Sequence, residues 1–127
     1  MTHTKTLYEL HYDHKEWLSK LVFYTEEIGI MQKRLEEIAR KNTSQEVRAS
    51  VEHFQNQIII TETHAVDLRK EIQHHEVEIE KIVNANSVAV DHKRLPDHVD
   101  HRDTMASFEK LFAELRKDLY VFLAKWM

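Results

Sequence analysis

Apolar residues recur at alternating intervals of three and four along three long segments of the chain. A period of about 3.5 residues is typical of helices that bury one continuous seam against their neighbours. It predicts helices over residues 6–41, 44–86 and 96–126, within a single domain that covers residues 1–127. The seam positions are Leu7, His14, Trp17, Leu21, Tyr24, Ile28, Met31, Leu35 and Ile38; then Val47, Val51, Phe54, Ile58, Thr61, Ala65, Leu68, Ile72, His75, Ile79, Ile82 and Asn86; then His98, His101, Met105, Phe108, Phe112, Leu115, Leu119, Phe122 and Trp126.

Local signals mark where each helix begins. The segments Thr6-x-x-Glu9 and Thr43-x-x-Glu46 both match the capping box, in which two side chains satisfy backbone amides at a helix start. Pro96 suits the first turn of the third helix, because the amide hydrogen that proline lacks has no helical partner there. The signals agree with the period of the seams.

Short connections between long helices predict an all-α protein, an antiparallel up-down-up bundle of three helices with heptad, coiled-coil-like packing. Residues 87–95 are expected to form the loop between the second and third helices. The chain has one glycine and one proline in 127 residues. So little turn-forming sequence favours long helices with few breaks.

Composition narrows the function classes. With no cysteine, the chain forms no disulfide and offers no thiolate to a metal. The net charge is −4 and the basic residues are interspersed with glutamates, which disfavours nucleic-acid binding. The longest apolar run is Ile58–Ile60, far too short to cross a bilayer. We therefore expect a soluble, cytoplasmic protein that binds neither nucleic acid nor membrane.

Several large apolar residues lie off the seams. Scattered exposed apolar side chains are common on ordinary protein surfaces, so they need have no function. The alternative is a second apolar face that mediates homodimer formation or binds a helical protein partner. The residues that would form it are Phe23, Ile30, Ile59 and Ile60, with Tyr120 and Val121 on the third helix.

Histidines concentrate at one end of the predicted bundle. Of ten in the chain, eight fall at the start of the first helix, in the second half of the second, or on the approach to the third. An up-down-up arrangement brings these three stretches together. Four of the histidines lie on seams, where polar side chains are disfavoured. They are His14, His75, His98 and His101.

Carboxylates accompany these histidines. Counting from the first turn places His14 level with Glu71 on the second helix, and His11 level with residue 74. Glu71 and Glu78 both flank the seam position of His75, four and three residues away, so each shares a helix face with that imidazole. The sequence thus predicts a His/Glu cluster at this end.

Three interpretations of the cluster stay open. It is a hydrogen-bonded polar layer that fixes helix register, a metal site, or a switch in which mild acidification charges the histidines and separates the helices. Imidazole and carboxylate ligands suit Zn, Fe, Mn, Ni or Cu as a divalent transition metal cofactor. The predicted ligands are His14, His75, His101, Glu71 and Glu78, with His11 and His98 as further candidates.

Two spacings resemble those of known metal-binding bundles. Glu71-x-x-His74 is similar to the Glu-x-x-His signature of ferritin-like di-metal carboxylate proteins, and His74-x-x-x-Glu78 resembles one spacing of hemerythrin-like bundles. The first family uses four helices and two such motifs, whereas this chain has three helices and one motif. The resemblance implies His/Glu ligands within a helical bundle and does not identify a family.

The residues assign no specific reaction. A nucleophilic mechanism needs a seam-facing hydroxyl beside a base, and Thr61 lies about three turns from the histidines. Gly29 is the only glycine, so no glycine-rich phosphate loop exists. The sequence therefore favours divalent transition-metal binding. The alternative is a non-catalytic interaction or assembly bundle, and whether the chain is an enzyme stays open.

Overall fold

Three helices pack against one another and make an all-α protein. The structure, a computed structural model, describes residues 4–85, 94–96 and 99–127. The helices are α1 (Leu7–Lys41), α2 (Gln45–Ala85) and α3 (Val99–Trp126). The seam position Asn86 and residues 87–93 of the predicted loop lie outside the described residues.

A short strand pair ties the start of α1 to the start of α3. Strands β1 (Thr4–Thr6) and β2 (Arg94–Pro96) pair antiparallel, with Thr4 opposite Pro96. The expectation that Pro96 opens the third helix is wrong, and so is the expectation that Arg94 and Leu95 belong to a plain loop. The pairing joins residues about 90 positions apart, and a local period carries no signal for such a contact.

The helix starts differ from each other in how they are capped. At α1 the predicted capping box is present: Glu9 N donates to Thr6 Oγ1 at 3.2 Å, and Thr6 N donates to Glu9 Oε2 at 2.9 Å. At α2 the predicted box at Thr43 is wrong, because the capping side chain is Ser44, whose Oγ accepts from Val47 N at 3.3 Å.

The buried apolar residues, among them Leu10 and Leu123 from outside the predicted seams, form two separate clusters. The small cluster contains Leu7, Leu10 and Ile79, with Ile82 packed against it. The main core fills the rest of the bundle. Its buried members are Leu21, Ile28, Met31, Leu35, Ile38, Val47, Val51, Phe54, Ile58, Ala65, Leu68, Ile72, Met105, Phe108, Phe112, Leu115, Leu119 and Leu123.

Ring contacts show which levels of the helices meet. His75 contacts His101, and Phe54, further back along α2, contacts Phe122, further on along α3. Tyr24 of α1 packs against Phe112 of α3, with ring centroids 4.5 Å apart. The three helices therefore lie alongside one another over most of the length of α3.

All six apolar residues predicted to lie off the seams are exposed, including Tyr120 and Val121 on α3. Phe23, Ile30, Ile59 and Ile60 are each at least half exposed to solvent. Among the described residues, no helix has a stretch apolar and long enough to pass through a membrane.

Candidate functional site

One histidine from each helix meets at a single level of the bundle. The ring centroids of His14 (α1) and His75 (α2) are 6.2 Å apart with planes at 74°, and those of His75 and His101 (α3) are 4.2 Å apart at 89°. The side chain of His14 is 0% exposed and that of His101 is 13% exposed. We call these three residues the histidine layer.

The histidine layer lies between the two apolar clusters. On one side, Leu10 precedes His14 by one turn and Ile79 follows His75 by one turn, and both belong to the small cluster. On the other side, Ile72 precedes His75 and Met105 follows His101, and both belong to the main core. The heptad pattern continues through the layer with imidazoles in place of apolar side chains, so the rings point inward for the same reason as their neighbours.

The carboxylate of Glu76, on α2, contacts both histidines of α1. Its Oε2 lies 2.6 Å from His11 Nδ1 and its Oε1 lies 2.6 Å from His14 Nδ1. The Glu76 side chain is only 16% exposed, whereas that of His11 is 57% exposed. This carboxylate therefore links an exposed imidazole to a buried one.

A second carboxylate lies at the opposite edge of the histidine layer. Glu71 Oε2 is 3.5 Å from His101 Nε2, and the Glu71 side chain is 55% exposed. The distance is long for a hydrogen bond, so this contact is weaker than those of Glu76. Both carboxylates approach the outward-facing nitrogen of their ring.

Each ring of the histidine layer also has a buried nitrogen. His14 Nε2, His75 Nδ1 and His101 Nδ1 are all buried from solvent. A neutral imidazole carries one hydrogen, so a ring that donates outward to a carboxylate presents a lone pair inward. This applies to His14, whose Nδ1 atom contacts Glu76.

The rings as they stand do not enclose an ion. In the part of the chain that the structure describes, no three His, Asp or Glu side chains form a group able to hold a metal. Three imidazoles on one tetrahedral ion would have centroids about 5 Å apart, a value between the two observed here. Coordination of one ion by all three imidazoles would therefore require the rings to reorient.

The structure brings together only some of the predicted ligands. His14, His75 and His101 meet, and Glu71 lies at their edge. His11 is outside the layer, bound to Glu76. Glu78, at 54% exposed, lies 3.3 Å from the exposed His74, so the His74-x-x-x-Glu78 spacing forms a surface pair. The two residues of the Glu71-x-x-His74 spacing have different partners, because Glu71 contacts His101. His98 lies outside the described residues.

Glu76, five residues beyond Glu71, is not among the ligands predicted from the sequence. Counting residues aligns Cα atoms, but a helical side chain leans toward the N-terminus of its own helix. If neighbouring helices run in opposite senses, these leans add up and shift the contact of His14 further along α2. A signal existed, because Glu76 follows the seam residue His75 and therefore borders the buried face.

A second polar group joins α1 and α3 away from the histidine layer. Tyr24 donates a hydrogen bond to Glu109 Oε2 at 2.9 Å, and Arg116 pairs with Glu27. Burial, then the hydrogen bond to Glu109 and the charges of Glu109 and Glu27, raise the pKa of Tyr24 to about 12. These contacts join α1 to α3.

Comparison with known proteins adds no family. No protein-family model, curated protein or solved structure matches the chain. Its function is therefore inferred from its own side chains, and the histidine layer offers the most specific chemistry among those described.

Proposed function

We propose that this chain binds a divalent transition metal ion through His14, His75 and His101. The observation that carries the proposal is that each helix contributes one imidazole to a single level, each with a buried ring nitrogen. Neutral imidazole is a good ligand for Zn²⁺, Cu²⁺, Ni²⁺ and Fe²⁺. Metal sites in helical bundles are built from side chains that face one another across the core in this way.

The hydrogen bond between Glu76 and His14 is compatible with a role for His14 as a metal ligand. Because the Glu76 carboxylate accepts a hydrogen bond from His14 Nδ1, the buried Nε2 atom of a neutral His14 carries a lone pair. A lone pair on a neutral imidazole is what a transition metal ion binds. Carboxylates on the outer nitrogens also orient and polarise metal-binding imidazoles.

The proposed coordination departs from the ligand set predicted from sequence. The three imidazoles of His14, His75 and His101 would hold the ion. Glu71 and Glu76 act on the outer nitrogens rather than on the metal, and Glu78 stays on the surface. With three neutral ligands and two nearby carboxylates, a divalent ion leaves little net charge in the core, which limits the cost of burying it.

We also infer the finer architecture that fixes this level, antiparallel up-down-up helices with heptad packing. The order of the ring contacts between α2 and α3 supports it. His75 contacts His101, and Phe54, which comes earlier in α2, contacts Phe122, which comes later in α3. This order is the one expected for two helices that run in opposite directions. The alternating spacing of the buried residues on all three helices agrees with it.

Trp17 provides a direct test, since its ring centroid is 5.7 Å from that of His14. In a Trp126→Phe background, Trp17 is the only tryptophan. Titration with Cu²⁺ or Ni²⁺ should quench its fluorescence with an end point near one ion per chain, and His75→Ala should abolish the tight phase. His53→Ala, which changes a histidine packed beside Phe54, is the matched control and should titrate like the parent. Quenching that survives His75→Ala would contradict the proposal.

The exposed apolar side chains favour a second candidate, a non-catalytic assembly bundle that forms a homodimer or binds a helical partner. Phe23, Ile30, Ile59 and Ile60 are all at least half exposed. Sedimentation of the wild type and of a Phe23→Glu, Ile30→Lys double variant tests it. A dimer that the double variant disrupts supports this face as an interface. A monomeric wild type at high concentration excludes the homodimer.

A further inference from the structure

Glu76 contacts two histidines through separate oxygens of one carboxylate. Each oxygen lies 2.6 Å from a δ nitrogen, one on His11 and one on His14. A carboxylate only accepts hydrogen bonds, so both Nδ1 atoms carry hydrogen. The distances are at the short end for N–H···O contacts, as expected for a charged acceptor.

We propose that Glu76 is a positioning residue that fixes His14 in its Nδ1–H tautomer. In that tautomer the lone pair belongs to the buried Nε2 atom. The use of this lone pair as a metal ligand rests on the proposed function, whereas the tautomer is a property of the metal-free protein. The two ideas can therefore fail separately.

The surroundings explain why Glu76 matters more to His14 than to His11. The His14 side chain is 0% exposed, so bulk water does not reach it. Its ring packs against the rings of Trp17 and His75. His11 is 57% exposed and can donate to water in either tautomer. Glu76 thus controls the buried ring more strongly than the exposed one.

Two substitutions of Glu76 distinguish the effect of its hydrogen-bond acceptor from the effect of its negative charge. In Glu76→Gln, the amide oxygen accepts from one Nδ1–H, while the amide nitrogen must donate to the other ring. Because His11 can change tautomer at little cost, we expect His11 to switch to Nε2–H and His14 to stay Nδ1–H. In Glu76→Leu, the acceptor is lost, so His14 loses its fixed tautomer.

Nitrogen-15 NMR of metal-free protein, at a pH high enough to keep the imidazoles neutral, reads these tautomers directly. The wild type should show Nδ1–H for His14, the Glu76→Gln variant should change only His11, and the Glu76→Leu variant should show a mixture for His14. Zn²⁺ affinity should fall about 10- to 100-fold in Glu76→Leu and be largely restored in Glu76→Gln. Glu71→Leu is the matched control and should affect the His14 tautomer in no way, since Glu71 contacts His101.

The results distinguish the two ideas. An Nε2–H tautomer for wild-type His14, or an unchanged His14 tautomer in Glu76→Leu, would overturn the role of Glu76 whether or not metal binds. If Glu76→Leu does not fold, the Glu76→Gln variant tests the role of Glu76 instead. A change of tautomer at His14 rather than at His11 in that variant would contradict the proposal. If the tautomers are as expected but the protein binds no Zn²⁺, the role of Glu76 stands and the proposed function is overturned.

Discussion

The imidazoles of His75 and His101 lie 4.2 Å apart, centroid to centroid, with their planes at 89°. His75 lies on α2 and His101 on α3, and the length of the segment between these helices does not by itself place the two histidines at the same height along the bundle. The β1–β2 pair accounts for their meeting, because β2 precedes α3 closely and is held beside the start of α1. His101 is thereby brought close to the level at which α1 presents His14.

The main core should dominate stability. Ile28 is 1% exposed and Ile30 is 53% exposed on the same helix, which makes them a matched pair. Ile28→Ala should lower the free energy of unfolding by about 2–5 kcal/mol, because it removes buried methyl groups and leaves a cavity. Ile30→Ala should change it by less than about 0.5 kcal/mol. Urea denaturation measures both, and equal effects would contradict the assigned burial.

The start of α2 can be tested with two neighbouring hydroxyls. Ser44→Ala should cost about 1 kcal/mol of stability, because Ser44 Oγ accepts from Val47 N. Thr43→Ala removes a similar hydroxyl one residue earlier and should be nearly neutral. Thermal melts of the two variants compare them directly. A larger loss for Thr43→Ala would restore the capping box expected from the sequence.

Tyr24 should titrate with a pKa of about 12. Unfolding returns its pKa to about 10. Between these values the unfolded chain binds fewer protons, so the stability that Tyr24 contributes is present below about pH 10 and is lost as pH rises toward 12. Absorbance titration measures the pKa, with Tyr24→Phe to assign the signal.

Glu109→Gln refines this prediction. It removes the charge beside Tyr24 but keeps a hydrogen-bond acceptor, so the Tyr24 pKa should fall. The value should stay above that of an exposed tyrosine, because burial is the largest cause of the shift. No change in the titration would mean that Glu109 does not contact the phenol in solution.

Replacing His75 of the histidine layer with leucine should remove Zn²⁺ binding without lowering the stability of the metal-free protein. In metal-free protein, His75→Leu should be as stable as wild type or more stable by about 1 kcal/mol, since it joins the two apolar clusters. Zn²⁺ should no longer stabilise it. Calorimetry with and without Zn²⁺ shows both effects, and a strongly destabilised metal-free variant would point to a structural role for the ring.

The seams predicted the helices and the meeting of three histidines, because heptad spacing places His14, His75 and His101 on the faces that pack. What the sequence could not supply were contacts set by non-local pairing or by side-chain direction. The pairing of Pro96 with Thr4 is non-local, and no period reports it. Glu76 rather than Glu71 reaches His14 because side chains lean along their helices.

Zinc content after equilibrium dialysis tests the central claim most directly. Wild-type protein and His75→Ala are dialysed together against the same low concentration of Zn²⁺, and bound metal is measured by elemental analysis. The proposed site predicts close to one Zn²⁺ per wild-type chain and little in His75→Ala. Equal zinc in both proteins, or none in the wild type, would contradict it and leave His14, His75 and His101 as a polar layer of the core.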